Sequence, residues 1–249
     1  MLRTICFVFL ALAPVLVQAQ EPDWSLYDRM LKTYVKPGHI DGVATNLVDY
    51  AGLADDPMFP QLVGDVRAFD PMLLSGDKER LAFYINAYNI LALQVALDHW
   101  PIKSMKDIGG SLQNAWTAFV INNFDGKMSL DDIEQKELMS TGDPRVHFAI
   151  HCNAVSGPDL RREPYRAATL DRQLDDQVRR FLSSRKALVV GDHKVNVSHL
   201  FSRYEDDFSQ QGGIAKFIHK YRPQVDTALL EADLPYDWKL NNLKSGSDQ

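Results

Sequence analysis

The segment from Lys78 to Trp100 constrains this chain more than any other, because its middle, Leu81 to Leu97, is apolar nearly all round. A helix without a polar face has to be covered on several sides, so the rest of the domain must be built around it. Asp77 is placed to cap the segment and Pro101 to close it. The stretch is too short, and carries too many polar residues, to span a bilayer. With 45% hydrophobic and 10% aromatic residues, the chain has the material for a substantial core.

The flanking patterns complete the outline. Trp24, Tyr27, Leu31, Tyr34 and Val35 recur at helical spacing and predict a helix over Asp23 to Val35, ended by Pro37-Gly38. Asn46 to Ala54 and Phe59 to Phe69 read as further short helices. The character changes after Gly109-Gly110, where Thr117 to Ile121 and Lys127 to Leu130 flank the hairpin signal Asn122-Asn123-Phe124-Asp125-Gly126. Ser129 can cap a helix over Asp131 to Leu138, with Asp132 completing a capping box. Asp143-Pro144 breaks that helix, and Arg145 to His151 reads as a strand. A helix over Leu170 to Leu182 precedes a hairpin pairing Ala187 to Val190 with Lys194 to Val197. Helices starting at Ser198 and Gly213 follow, ending at Phe208 and Tyr221. Helices first, then hairpins joined to helices, imply an α+β class: a helix-rich single domain around a small, mainly antiparallel sheet. A doubly wound parallel sheet is disfavoured, because strands and helices do not alternate.

The N-terminus has the form of a signal peptide. Arg3 supplies the positive start, Ile5 to Val17 is almost wholly apolar, and Val17-Gln18-Ala19 offers a cleavage site. The expectation is an exported domain, periplasmic or secreted, with no integral membrane span. Its layout would be a signal over 1–19, an N-terminal helix and linker over 20–45, one globular domain over 46–240 and a flexible tail over 241–249. The chain has 27 basic and 33 acidic residues, a net charge of −6. No basic cluster suits phosphates, so nucleic acid and anionic membrane surfaces are poor partners. Asn196-Val197-Ser198 matches a glycosylation acceptor, relevant only in a eukaryotic secretory pathway.

Of two cysteines, Cys6 would leave with the signal, so Cys152 has no partner within the remaining chain. A spare thiol in an exported protein is packing, a link to another molecule, or a reactive group. It ends the run Arg145-Val146-His147-Phe148-Ala149-Ile150-His151-Cys152. On a strand, His147 and His151 would share one face and Cys152 the other. A thiol needs a base or positive charge nearby to act as a nucleophile. His147 and His151 are the local candidates, with Glu134 as an orienting group. A metal site of His147, His151 and Cys152 is disfavoured by that parity and by the absence of paired cysteines. The sequence calls for no metal and no cofactor.

A second constellation is Tyr84-Ile85-Asn86-Ala87-Tyr88-Asn89. Asn86 and Asn89 occupy neighbouring turns in a segment otherwise fit for a core. Buried amides must be hydrogen-bonded, either to a loop's backbone or to a ligand carbonyl in a cleft. Trp116 and Ser156 are further candidates for lining a pocket.

Several of these pieces resemble the domain-of-unknown-function family 547. They are Tyr84-Ile85-Asn86-Ala87-Tyr88-Asn89, Ser129-Leu130-Asp131-Asp132-Ile133-Glu134 and Asp143-Pro144-Arg145-Val146-His147-Phe148-Ala149-Ile150, followed by Cys152, Ser156 and Pro158. The matching pieces run from Val48-Asp49-Tyr50 to Tyr236-Asp237-Trp238. Many bacterial members look like Cys-x-x-x-Ser-Cys-Pro at the cysteine, where this chain has Gly157. That departure leaves no resolving cysteine and counts against dithiol redox chemistry. His147 matches the family pattern, whereas His151 does not. The resemblance implies a fold and a site position but no reaction.

Two functional readings stand. In the first, the chain is a cysteine-dependent hydrolase or acyl transferase acting on an amide or thioester. Cys152 would be the nucleophile, His147 the base, Glu134 the orienting group, and Asn86 or Asn89 donors to the substrate. In the second, it is a non-catalytic ligand-binding domain with a pocket of Asn86, Asn89, Trp116 and Ser156, and Cys152 as packing. A small-molecule or peptide substrate suits either; the sequence identifies no protein partner.

Overall fold

The computed structural model describes residues 21–108, 112–117, 119–123 and 126–245. The expected signal peptide lies outside the described residues. Helix α1 (Ser25–Tyr34) runs directly into strand β1 (Val35–Ile40), which pairs antiparallel with β2 (Val43–Val48). The sequence reading had this region as a helix end, a linker and another helix. The hairpin exists because Asp41 and Gly42 both take positive φ, 51° and 75°, the turn that matches the strands' twist. Pro37 is tolerated because each strand of a two-stranded ladder is an edge. Helices α2 (Tyr50–Ala54) and α3 (Phe59–Ala68) follow, with Pro60 in the first turn of α3.

Helix α4 (Asp77–Leu97) is the axis of the domain. Its first turn is closed by Glu79, which accepts a 2.8 Å hydrogen bond from the Gly76 N–H, while Asp77 falls inside the helix. Every residue from Leu81 to Leu93 is buried on all faces, as an all-round apolar helix requires. Among the described residues no helix is long and apolar enough to cross a membrane.

Beyond α5 (Leu112–Thr117), strands β3 (Phe119–Asn123) and β4 (Gly126–Ser129) form the expected hairpin. Ser129 caps α6 (Leu130–Asp132) as expected: its Oγ accepts from the Asp132 N–H at 3.1 Å, and Asp132 accepts from the Ser129 N–H at 2.9 Å. The helix then widens into a π turn over Ile133–Leu138 that carries Glu134.

Residues Pro144–Phe148 form a 3-10 helix, not the expected strand. Asp143 accepts from the Arg145 N–H at 3.0 Å and Pro144 takes the first turn, so this Asp-Pro starts a helix as well as ending one. The alternation of Val146, Phe148 and Ile150 does not mark an exposed face, because His147 and Ala149 between them are also buried. The strand-parity argument separating the histidines from Cys152 falls with the strand.

Helix α7 (Leu170–Ser183) leads to β5 (Leu188–Val190) and β6 (Val195–Ser198), then α8 (His199–Arg203), α9 (Glu205–Ser209) and α10 (Ile214–Tyr221). The helix expected from Ser198 to Phe208 is therefore broken at Tyr204. Strand β7 (Leu230–Leu234), unforeseen, adds to β6 in parallel. The fold is thus helix-rich α+β, and among the described residues its strands form three small ladders. One apolar cluster surrounds α4; a second packs Phe148, Phe181, Phe201, Phe208 and Phe217.

The chain after β7 crosses back over the domain. Val155 donates to Lys239 O (2.9 Å), Leu240 to Lys103 O (2.8 Å) and Val48 to Asn241 O (2.9 Å). Asn241 is fully buried and donates to Asn46 O at 2.8 Å, so the fixed chain continues past the point where a flexible tail was expected to begin.

Candidate active site

The loop bearing Cys152 is moored to α4. Asn89 donates to Ala149 O (3.0 Å) and accepts from the His151 N–H (2.7 Å). Asn153 takes φ 56°, a left-handed conformation that asparagine tolerates, and donates to Ala92 O at 2.8 Å. The Tyr50 hydroxyl lies 3.0 Å from Asn153 Oδ1. Held on both sides, Cys152 is fixed in place rather than carried on a free loop.

Asn86 makes the matching pair to Tyr165, donating to its carbonyl at 2.8 Å and accepting from its N–H at 2.9 Å. Both asparagines are almost wholly buried and use their amides on backbone. The expectation that they present donors to a substrate is corrected on that ground. Ser156 is also engaged elsewhere: its Oγ accepts from the Asp237 N–H at 2.8 Å, pinning the returning C-terminal chain.

The other four candidates converge. Cys152, His147, Glu134 and Trp116 all line a cavity of about 610 Å³, with Tyr88, Arg203, Tyr204, Tyr236 and Trp238 among its walls. The half-buried thiol of Cys152 lies 2.9 Å from the Tyr236 hydroxyl, its one side-chain partner among the described residues. Burial pushes the thiol above its ordinary pKa; hydrogen bonds from Tyr236 and the Ala154 N–H and the charge of Lys186 offset this in part.

His147 pairs with Asp207, Nε2 to Oδ2 at 2.7 Å, and stacks on Tyr204 with ring centroids 3.9 Å apart. Asp207, not Glu134, is therefore its orienting carboxylate. Burial lowers the imidazole pKa while Asp207 opposes the shift, and Nδ1 has no hydrogen-bond partner among the described residues. Glu134 accepts from Tyr204 at 2.7 Å and more weakly from Tyr88 at 3.4 Å; burial raises its pKa against those bonds. Trp116 donates to the Tyr88 hydroxyl at 3.1 Å, extending the network.

His151 does not reach the cavity lining. Its ring is buried, with Nδ1 2.8 Å from Pro158 O, and burial drives its pKa down to about 4. Among the described residues no three His, Cys, Asp or Glu side chains group as a metal site.

The sequence reading missed Asp207, Tyr204, Arg203, Tyr236 and Trp238. Asp207 belongs to the acidic run Glu205-Asp206-Asp207, a pattern that in sequence alone suggests only a solvated helix face. Tyr236-Asp237-Trp238 was a visible signal, since it stood among the matching pieces of the resemblance.

Comparison with known proteins locates this geometry. Residues 72–182 match the model of the family described as "Protein of unknown function, DUF547". That span holds Tyr88, Trp116, Asp131, Glu134, His147 and Cys152 among the lining residues, whereas Arg203, Tyr204, Tyr236 and Trp238 come from the chain beyond it. No curated protein and no solved structure matches the chain.

Proposed function

We propose that the cavity is a substrate site in which Cys152 attacks an amide or thioester carbonyl, making the domain a cysteine-dependent hydrolase or acyl transferase. The observation that carries the reading is the convergence on one cavity of a thiol, a carboxylate-backed imidazole and a buried carboxyl. The thiol gives its proton to His147, the sulfur forms a bond to the carbonyl carbon, and the C–N or C–S bond breaks as the proton passes to the leaving group. Water, or a second nucleophile in a transferase, then cleaves the thioester and returns the proton to sulfur. Asp207 accepts from the Nε2–H of His147, which leaves Nδ1 with the lone pair needed for a base. Proton transfer requires the sulfur to exchange its Tyr236 bond for the imidazole. The domain acts outside the cytoplasm in this reading, on the strength of the signal-like residues 1–19.

A second reading, a ligand-binding domain without catalysis, is favoured by the thiol's pairing with Tyr236 and its raised pKa. Intact-mass analysis after brief exposure to phenyl thioacetate separates the two. The enzyme reading expects an acetyl group on Cys152, absent from Cys152→Ala and slow to form in His147→Gln. An unmodified Cys152 in folded protein favours the second.

A further inference from the structure

The walls of the cavity have a composition that thiol chemistry alone does not require. Five aromatic residues line it: Tyr88, Trp116, Tyr204, Tyr236 and Trp238. Trp116 and Trp238 stand nearly perpendicular, 77° apart with centroids at 6.1 Å. Trp238 also leans on Tyr236, at 42° and 4.3 Å. Rings set at such angles present edges and faces in several directions.

An aromatic face is the negative pole of the ring's quadrupole and draws a cation lying within about 6 Å of its centroid. Two rings of this wall already carry one: the Lys106 ammonium lies 5.4 Å from the Trp238 centroid, and the Arg203 guanidinium 5.4 Å from that of Tyr204. Two carboxyl groups, Asp131 and Glu134, also line the cavity. Glu134 is 5% exposed, and its hydrogen bonds come from neutral phenols; among the described residues no cation forms an ion pair with it. A buried carboxylate with no cation in direct contact is costly, and a ligand can supply charge beyond the single Arg203 that Glu134 shares with Asp131. Among the described residues Arg203 is the one lysine or arginine in the lining, and Asp131 and Glu134 both act on its charge.

We infer that the cavity takes ligands bearing an ammonium group, seated among the rings of Trp116, Tyr236 and Trp238 with Glu134 as counter-charge. This rests on the proposed reading of the cavity as the substrate site and names the substrate's class, but it does not need the thiol to react. Quaternary and primary ammonium groups share the chemistry, and the choice of probe tells them apart.

The test is a titration of wild-type and Cys152→Ala protein, followed by tryptophan fluorescence. The probes are choline, its uncharged carbon isostere 3,3-dimethylbutan-1-ol, n-pentylamine and n-pentanoate. One of the two ammonium probes binds at least about ten-fold more tightly than the neutral alcohol, in both proteins. The better of choline and pentylamine identifies the headgroup. Glu134→Gln weakens that binding about ten-fold and leaves the alcohol's affinity unchanged. Trp238→Leu, a second variant that leaves the buried carboxyl in place, also weakens it. Equal affinity for cation and isostere, or preference for pentanoate, overturns the inference. Ammonium binding by Cys152→Ala, with no acetyl transfer in the wild type, removes the thiol mechanism and leaves this inference standing.

Discussion

Replacing Asn89 by alanine cuts both hydrogen bonds that tie the cysteine loop to the central helix. The 3.0 Å bond to Ala149 O and the 2.7 Å bond from the His151 N–H are lost together, and Asn89 is 1% exposed, so bulk water does not take its place. Each buried backbone group left without a partner costs about 1–3 kcal/mol, so the pair predicts a loss of about 2–6 kcal/mol. Asn86→Ala severs an equivalent pair to Tyr165 and should cost a similar amount. The two variants differ in what they release. Only Asn89→Ala frees the residues beside Cys152, so only it should speed iodoacetamide labelling of the native protein. Urea unfolding and timed labelling on the same samples read both quantities. A stability loss under about 0.5 kcal/mol for Asn89→Ala, the size of an ordinary surface change, refutes the reasoning. So does equal acceleration of labelling in both variants.

Three further outcomes follow from the same contacts. His151 is held neutral with a pKa of about 4, against about 6.5 when unfolded, so the unfolded chain binds more protons between those values. Stability should therefore fall by up to about 3 kcal/mol as pH drops from 6.5 to 4, and His151→Gln should flatten that part of a denaturation series. Lys186 and Asp159 meet at 2.6 Å with side chains 2% and 6% exposed, so Lys186→Met leaves a buried carboxylate short of a partner. Urea unfolding should show a loss of about 3 kcal/mol; no loss would mean that Arg180 and Thr45 suffice for Asp159. At Gly157 a Cβ would stand 2.5 Å from Cys152 Sγ and 3.1 Å from the Tyr236 hydroxyl. Gly157→Ala must therefore displace the sulfur, costing about 1–3 kcal/mol and changing the labelling rate; unaltered values for both would contradict the packing.

Much of the scaffold was legible because its signals are local. The all-round apolar character of α4, the Ser129–Asp132 capping box and the β5–β6 hairpin each depend on residues within a few positions. The β1–β2 hairpin was missed although Asp41-Gly42 announces it, because Pro37-Gly38 reads more simply as a helix stop. Residues 144–148 were misassigned because a fully buried short helix and a strand share an apolar pattern. Cys152, His147, Glu134 and Trp116 were chosen from residue type and neighbourhood, and the fold brings them to one cavity. Asp207 and Tyr236 could not be found that way, since they lie 60 and 84 positions from the groups they bond. Asn86 and Asn89 stand out in the sequence as buried amides needing partners, but which backbone they hold is decided by tertiary packing alone.

The account depends on the thiol being reachable from the cavity while the protein is folded. Iodoacetamide labelling of the native protein across a pH series, with the modified residue identified by mass, tests this most directly. The account predicts modification of Cys152 in the folded state, with a rate that rises toward alkaline pH and reaches its midpoint above that of free cysteine, as burial of the sulfur requires. Labelling seen only after denaturant has unfolded the chain would contradict it.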